Sequence, residues 1–424
     1  MMLKFLFKGL IRDKSRSFLP VLVVALGVMM TVLLQSLLGG FLGESIESTA
    51  NFTTGHLKVM TRAYSENSSQ LPNDLALIGV DTLKIRLQKQ FPDITWAERI
   101  QFGGLLDAPD SIGHTRSQGN VMGMGINLLK SQEEINRIDL KPRLVSGHFP
   151  TKAGEILLSD NLFHKMNLKL GDKVTLISSG MYGDMAMYNF HVSGTLRFGI
   201  NVLDRGMMIA DINDVRAALN MENAAGEILG FFTGERYDNK LAKADAKIFN
   251  ARYARSKDKF APVMLPLAEM NDMGFLVAYS ESIQTFIIMI FIIAMAIVLW
   301  NAGLIGGLRR YGEFGLRLAI GENKHEIYRT LIAESFLVGT VGSVIGVIVG
   351  LLLSWCFQVY GINFGDSLKD STFLMPSVMR AHINFTTFYI GFIPGIFSTV
   401  IGSMLAGIGI YKRQTANLFK ELES

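Results

Sequence analysis

Four stretches of the chain are apolar for longer than the roughly 20 residues a helix needs to cross a bilayer: Phe18–Leu42, Met273–Leu304, Leu331–Tyr360 and Phe385–Tyr411. The centre of the second, Phe286–Trp300, carries no charge. Each stretch contains glycine and two contain proline (Pro20, Pro394), which membrane helices accept more readily than soluble ones. About 230 residues separate the first stretch from the second, too many for a loop and enough for a folded domain. That insert opens with a polar, Ser/Thr-rich segment, Gly43–Asn67, of the kind expected for a stalk. Asp81–Gln90 has helical spacing, with Leu83, Ile85 and Leu87 near one side. Short alternating runs then predict strands at Val174–Ser178, Tyr188–Leu196 and Met207–Ala210. Asp211–Asn220, capped by Asp211 or Asn213, and the charged Asp238–Lys257 are predicted helices. The predicted fold class is a membrane protein of four transmembrane α-helices, one plus three. A large α+β extracytoplasmic domain (43–272), of one or two subdomains, lies between the first and second spans.

Charge supplies the orientation. Lys4, Lys8, Arg12, Lys14 and Arg16 precede the first span, and Arg309, Arg310, Arg317, Lys324 and Arg329 lie between the second and third. Lys412, Arg413 and Lys420 follow the fourth. The short loop 361–384 offers Lys369 and Arg380 against Asp366 and Asp370. The positive-inside rule then places both termini and the 305–330 segment in the cytoplasm and the large domain outside. Residues 1–17 carry Leu3, Leu6, Phe7, Leu10 and Ile11 on one helical face and Lys4, Lys8, Arg12 and Arg16 on another. That pattern predicts an amphipathic helix lying among membrane lipid headgroups. Phe18–Leu42 exceeds the ~7–15 apolar residues of a cleavable leader, so a retained anchor is expected.

Composition adds exclusions. Of 424 residues 49% are hydrophobic and 18% charged, with a mean hydropathy of +0.30, and the net charge of +4 gives no reason to expect a nucleic-acid partner. One cysteine, Cys356, rules out an intrachain disulfide or a Cys-based metal site. The 22 methionines, Met29, Met30, Met289 and Met295 among them, read as adaptable packing in apolar segments. In the large domain His56, His114, His148, His164 and His191 lack metal-ligand spacing, and neither an H-E-x-x-H nor a G-x-S-x-G motif occurs. Asp107-Ala-Pro-Asp110 reads as a solvated turn rather than an acid/base pair. Gly119–Gly125 is glycine-rich but lacks the Lys-Ser/Thr of a phosphate loop. A binding or force-receiving module is expected, without catalytic residues, cofactor or metal.

The segment from Asn301 to Trp355 is the most informative. Roughly twenty residues join the second and third spans where a turn needs only a few. They present Arg and Glu beside small residues, as a segment lying across a partner's groove would. The run Arg310-x-x-Glu313-x-Gly315-x-Arg317-x-Ala319-x-Gly321, followed by Ile327, Glu334 and a glycine-rich third span, resembles the FtsX-like permease family. That family includes MacB-type efflux permeases and LolC/LolE-type lipoprotein-releasing permeases. The basic stretch Phe5–Arg16 is similar to the family's helix before its first span. Gly147-x-Phe-Pro, Glu155-Ile-Leu-Leu, Gly171-Asp172-x-Val174 and Val192-x-Gly194 resemble its MacB-like periplasmic core domain. The tail, Ala416–Leu422, departs from the family pattern in lacking a proline.

The resemblance implies a non-catalytic permease subunit of an ABC transporter in a bacterial inner membrane. It would pair with a second, identical or different, permease subunit and with a separate cytoplasmic ATPase that binds ATP and Mg. ATP hydrolysis would be relayed to the periplasmic domain by mechanotransmission. The chain has no Walker A motif, and charge is nearly absent from its spans, unlike an ion path. On this likeness Arg309, Arg310, Glu313, Phe314, Arg317 and Lys324 would meet the ATPase. Glu334 would support them, either by pairing with Arg310 or Arg317 or by snorkelling to the interface. Gly342, Gly346 and Gly350 recur every fourth residue and predict a close helix contact, within or between subunits. Leu37, Phe41, Phe275 and Ile283 would line an apolar substrate cavity. Lipoprotein release to a periplasmic carrier is the leading expectation. Efflux with a periplasmic adaptor, regulation of cell-wall hydrolases, and a membrane-anchored sensor or scaffold are the alternatives.

Overall fold

The computed structural model describes residues 14–412 except 111, 200, 235, 271, 272, 310 and 364–377; within its helices and strands the side chains of 14–17, 281, 284, 306–309, 311, 312, 314, 363, 378 and 408–412 are also outside the description. The expected headgroup helix therefore lies outside the described residues but for the backbone of 14–17. The tail from 413 and most of the 361–384 loop lie outside them as well. Contacts divide the chain into a domain, Gly43–Val277, and a membrane unit formed by the segments before and after it.

α1 (Lys14–Thr49) does not stop where its apolar stretch ends. It runs on through Gly43 and closes with one π-helical turn, Ala50–Thr54. The predicted polar stalk is therefore helix for its first twelve residues. Its hydroxyls are satisfied locally: Thr49 Oγ1 donates to the Ser45 carbonyl and Thr53 Oγ1 to that of Thr49, each at 2.9 Å. Ile46 and Ala50 bury themselves against Met60, Tyr64, Met273 and Val277. Gly55, at φ +64°, then turns the chain into the sheet.

The strands are β1 (Leu57–Thr61), β2 (Leu77–Ile78), β3 (Ile94–Pro109), β4 (Thr115–Ile126), β5 (Leu144–Gly147), β6 (Glu155–Ser159), β7 (Lys173–Ser179), β8 (Met185–Leu196), β9 (Met207–Asp211), β10 (Ala224–Ala225), β11 (Glu227–Phe232) and β12 (Pro262–Pro266). β3 pairs with β4 and β7, β4 with β9, β9 with β6, β6 with β8, and β8 with β7. Six strands thus close on themselves around Phe102, Leu106, Val174, Leu176, Phe190 and Met208. Gly123 is required there, because a Cβ would strike the Phe102 ring. β11, β1 and β12 extend this sheet from the first half of β3.

Helices α2 (Val80–Gln90), α3 (Glu133–Arg137), α4 (Ile212–Ala218) and α5 (Asn239–Tyr253) pack outside. Asp211 caps α4 by accepting from Asn213 N–H (2.9 Å), and Asp238 caps α5. In α2, Leu83 and Leu87 are buried but Ile85 is 72% exposed. The expected trio fails because two residues of helix rotate a side chain by about 200°. Gly119–Gly125 lies within β4, so it is no phosphate loop. Asp107 sits in β3 under Gln118 (3.0 Å), while Asp110 shapes the hairpin tip by accepting the N–H groups of Ile112 and His114, each at 2.9 Å.

The membrane unit adds α6 (Met273–Arg309), α7 (Tyr311–Ala319), α8 (Lys324–Tyr360), α9 (Phe385–Ile390) and α10 (Phe392–Lys412). With α1 these supply four helical segments long and apolar enough to span a bilayer. The fourth stretch is two helices rather than one. Pro394 would clash with the carbonyl four residues back, and α9 ends at that residue, Ile390. α1 shows two opposed faces four residues in period. Val24, Val28 and Val32 are fully buried, whereas Leu22, Leu26 and Met30 are 40–50% exposed, as a lipid-facing edge is.

Candidate coupling segment and domain anchor

The segment between the second and third spans is built as a short helix and a tight turn. In α7, Arg317 Nη2 meets Glu313 Oε1 at 3.2 Å across one turn, and its Nε lies 4.0 Å from Glu322. All three side chains are about one-third exposed, so the pairing shapes the helix without making it rigid. Gly321, at φ +100°, ends α7: Glu322 N–H reaches back to the Arg317 carbonyl (3.0 Å) and Gly321 N–H to that of Leu318 (3.1 Å). The two neighbouring bonds are the Schellman closure, which glycine alone adopts without strain.

Arg317 is thus held by Glu313 and Glu322, and the expected pairing of Glu334 with Arg317 gives way to these local contacts. Glu334 is half-buried further along α8, and Lys324, the first residue of that helix, is exposed. Arg310 and the side chains of Arg309 and Phe314 lie outside the described residues. Sequence reasoning overlooked Leu316 and Ile320, which are 63% and 78% exposed and stand four residues apart, in the last turn of α7 and just after it. Their i, i+4 spacing was the available signal; charge drew attention away from it.

The glycine stripe of α8 faces α1. A Cβ at Gly342 would fall 2.7 Å from Val24 Cβ, one at Gly346 2.6 Å from the Ala25 carbonyl oxygen, and one at Gly350 2.9 Å from Val32 Cβ. The valine ridge of α1 fills the groove that the three glycines leave, so the contact is within the chain. Further out, Ser36 and Ser354 share a buried 2.6 Å hydrogen bond, and Ser36 O accepts His382 N–H (2.9 Å). Leu37, Phe41 and Ile283 are half-buried and Phe275 is 77% exposed.

Beyond Leu42, α1 is fastened into the domain by two polar side chains. Arg99 on β3 is fully buried. Its Nη2 donates to the Asn51 carbonyl (2.7 Å), its Nη1 donates to that of Phe52, and Nη2 also meets Glu134 Oε2 at 3.0 Å. A cation here complements the negative end of the helix and satisfies carbonyls that the helix leaves open. Burial draws the guanidinium below its ordinary pKa, and Glu134 opposes that shift. Arg137 completes the group by pairing with Glu134 and stacking 4.0 Å above the Phe231 ring.

Glu47 is the second fastening. It lies 3.0 Å from His56 Nε2 and accepts Tyr237 N–H at 2.6 Å. Because Phe232 N–H donates to His56 Nδ1 (3.1 Å), the imidazole must carry its proton on Nε2 and give it to Glu47.

The motif residues of the domain gather around a cleft of about 250 Å³ lined by Gly147, His148, Glu155, Gly171 and His191. Gly147 and Gly171 take φ +79° and +87°, and Glu155 is committed to the loop before it, accepting Thr151 N–H at 2.8 Å. Among the described residues no three His, Cys, Asp or Glu groups are placed to hold a metal.

Residues 285–415 match the family model for the FtsX-like permease C-terminal domain. Among solved structures, the periplasmic region of MacB from Actinobacillus actinomycetemcomitans is similar at 12% identity, over 54% of this chain and 95% of that one, with a TM-score of 0.35. The matched residues run from within α6 through the end of α10 and include both α7 and the glycine seam, so this part of the chain is similar to an FtsX-like permease C-terminal domain.

Proposed function

We propose that this chain is the non-catalytic membrane subunit of an ABC transporter. It sits in a bacterial inner membrane with both termini and α7 in the cytoplasm and the domain in the periplasm. A separate ATPase, holding ATP and Mg, docks on Arg309–Arg329. The observation that carries this reading is the family match across three spans together with the form of α7. That helix and the turn after it expose Leu316 and Ile320 beside the Glu313–Arg317 pair, which is about one-third exposed, a small apolar ridge with a polar rim. Arg309, Arg310, Phe314 and Lys324 neighbour these residues in sequence and are part of the proposed docking segment, with Glu334 as its proposed support.

The subunit works as a dimer with an identical or related permease, and ATP-driven movement is passed along α1 and α6 to the domain. The substrate we favour is a lipoprotein taken from the membrane and handed to a periplasmic carrier, with Leu37, Phe41, Phe275 and Ile283 receiving its acyl chains. Efflux through a periplasmic adaptor fits the same fold.

Co-purification in mild detergent is the test. The wild type is expected to bring down a cytoplasmic ATPase, and Glu313→Lys, which opposes Arg317 with a like charge, to lose it. Wild-type protein that purifies without an ATPase would end the transporter reading. Normal recovery with Glu313→Lys would instead remove that residue from the interface. Vesicles carrying a lipoprotein and an efflux substrate would separate the two transport readings by which one leaves in an ATP-dependent manner.

A further inference from the structure

The contact between α1 and α8 repeats with one period on both helices. Val24, Val28, Val32 and Ser36 face Gly342, Gly346, Gly350 and Ser354 at a constant offset of 318 residues. The backbone repeats with them: a Cβ on the three glycines would lie 3.1, 2.6 and 3.2 Å from the carbonyl oxygens of Val21, Ala25 and Met29. Identical knobs over identical grooves fix how closely two helices approach, but not their register along the axis. If each residue of α1 took the place of the residue four further on, the valines would meet Gly346, Gly350 and the small Ser354. That is a screw step of about 6 Å and 40°. α10 would meet the same side chains as before. Val28 and Val32 pack on Gly391, and Val28 also on Gly395; Val24 and Val28 would take their places. Val23 would enter the place of Gly27 against Met295, whose flexible thioether chain can give way. The opposite step is barred, because it sets Val24 against the buried Val338.

Polar groups tell the two registers apart. Gln35 is 3% exposed, and its Oε1 has no hydrogen-bond partner among the described residues. A buried amide oxygen left unpaired is costly, the more so among spanning helices. The outward step carries Gln35 into the place of Gly39, where a Cβ meets nothing within 4 Å. Thr31 then takes the place of Gln35, and its hydroxyl is already bonded to the Gly27 carbonyl (2.8 Å). Against the step stand the Ser36–Ser354 hydroxyl pair and the strap Arg380–His382. The strap holds α1 through His382 N–H on the Ser36 carbonyl (2.9 Å), and Gly40 lies against the Arg380 carbonyl oxygen. It holds α8 through Ile383 N–H on Gln358 Oε1 (3.3 Å). Ser36, arriving where Gly40 was, would strike the Arg380 carbonyl, so the strap must lift before α1 advances.

We propose that α1 and α8 form a two-position ratchet. α1 advances outward along α8 by one four-residue step, driven by release of the stranded Gln35 amide and held back by the Ser36–Ser354 pair and the strap. α1 is one helix to Thr49, so the step travels along its whole length. The ratchet deepens the proposed function, in which movement passes along α1, but detecting it requires no ATPase.

The full chain carrying Cys356→Ser, Leu19→Cys and Val359→Cys is labelled with nitroxides, placed in nanodiscs and measured by double electron–electron resonance. Both labelled positions are more than half exposed. In the resting register they are about 33 Å apart along the helices, and the step shortens this by about 5 Å. Ser354→Gly removes the hydroxyl pair and adds a fourth glycine to the track. It is expected to raise the short-distance population at least about threefold over the parent. Ser36→Ala, which removes the same hydrogen bond and leaves α8 untouched, should raise it less. Gln35→Leu added to Ser354→Gly removes the stranded amide and should return the population toward the parent value. A single distance in Ser354→Gly and Ser36→Ala alike overturns the ratchet, and so does a short population that Gln35→Leu leaves unchanged. If the short distance appears and no ATPase co-purifies, the transporter reading ends and the ratchet stands. Recovery of an ATPase with a single distance throughout ends the ratchet alone.

Discussion

Two polar clusters in this chain use the same chemistry to opposite ends. Around Arg99 a guanidinium with no exposed surface holds two helix carbonyls and Glu134. Around Arg317 the same group, about one-third exposed, meets Glu313 and Glu322 at the surface of a nine-residue helix. Removing a partner from the first leaves a charge and carbonyls stranded in the interior; removing one from the second leaves them in water. Desolvation makes Arg99 a fixed joint, whereas the Arg317 pairs lie at the helix surface, where each contributes little. The contrast is the one the proposed function requires: stiff where a helix enters the domain, and solvent-facing on the segment where we propose that a partner docks.

The largest effect expected is at the joint. Arg99→Met should destabilise the domain by roughly 3–5 kcal/mol, seen as a lowered melting temperature of the full chain, because the carbonyls of Asn51 and Phe52 lose their partner and Glu134 keeps only Arg137. A loss under about 1 kcal/mol would put Arg99 in the same class as Arg317 and dissolve the comparison. Next is the seam between α1 and α8. Gly346→Val would push against the Ala25 carbonyl, a backbone atom unable to move aside, and should cost about 1–3 kcal/mol in detergent melts.

A third test probes partial burial. Glu98, between Lys84 (3.1 Å) and Arg216 (2.8 Å), has a pKa that burial raises but these cations bring below its ordinary value. A depressed carboxyl contributes stability that is complete above its unfolded pKa and is lost as pH falls through the folded one. The parent should therefore lose stability faster than Glu98→Gln between about pH 5 and 3. Parallel curves would show the cations to be idle. The smallest effect is expected at the surface pair, where Arg317→Ala should change stability by about 0.5 kcal/mol or less while weakening ATPase recovery.

How far the sequence disclosed these regions follows from the range of the interactions. The spans were legible because twenty apolar residues in a row admit few other readings, and the strands β7, β8 and β9 because alternation is local. Closure of the six strands was not legible. It depends on β3 pairing with β7 some seventy residues away, at Gly104 with Ser178, and no local pattern encodes that register. The helical course of Gly43–Thr54 was hidden by its Ser and Thr content, which reads as stalk until one sees the hydroxyls bonded back into the helix. Arg99 was invisible for the same reason, since one arginine in a strand looks like any solvent-facing position. On the docking side the Glu313–Arg317 spacing announced a helical pair, but the turn at Gly321 and the exposed Leu316 and Ile320 emerge only once α7 has an end and a face.

The most direct test of the comparison is hydrogen exchange on the full chain in nanodiscs, with and without the co-purifying ATPase. Protection of the amides of 311–322 on ATPase binding is predicted, with those of 46–54 slow and unchanged in both states. Protection that spares α7, or fast exchange at 46–54 before any partner is added, would contradict it.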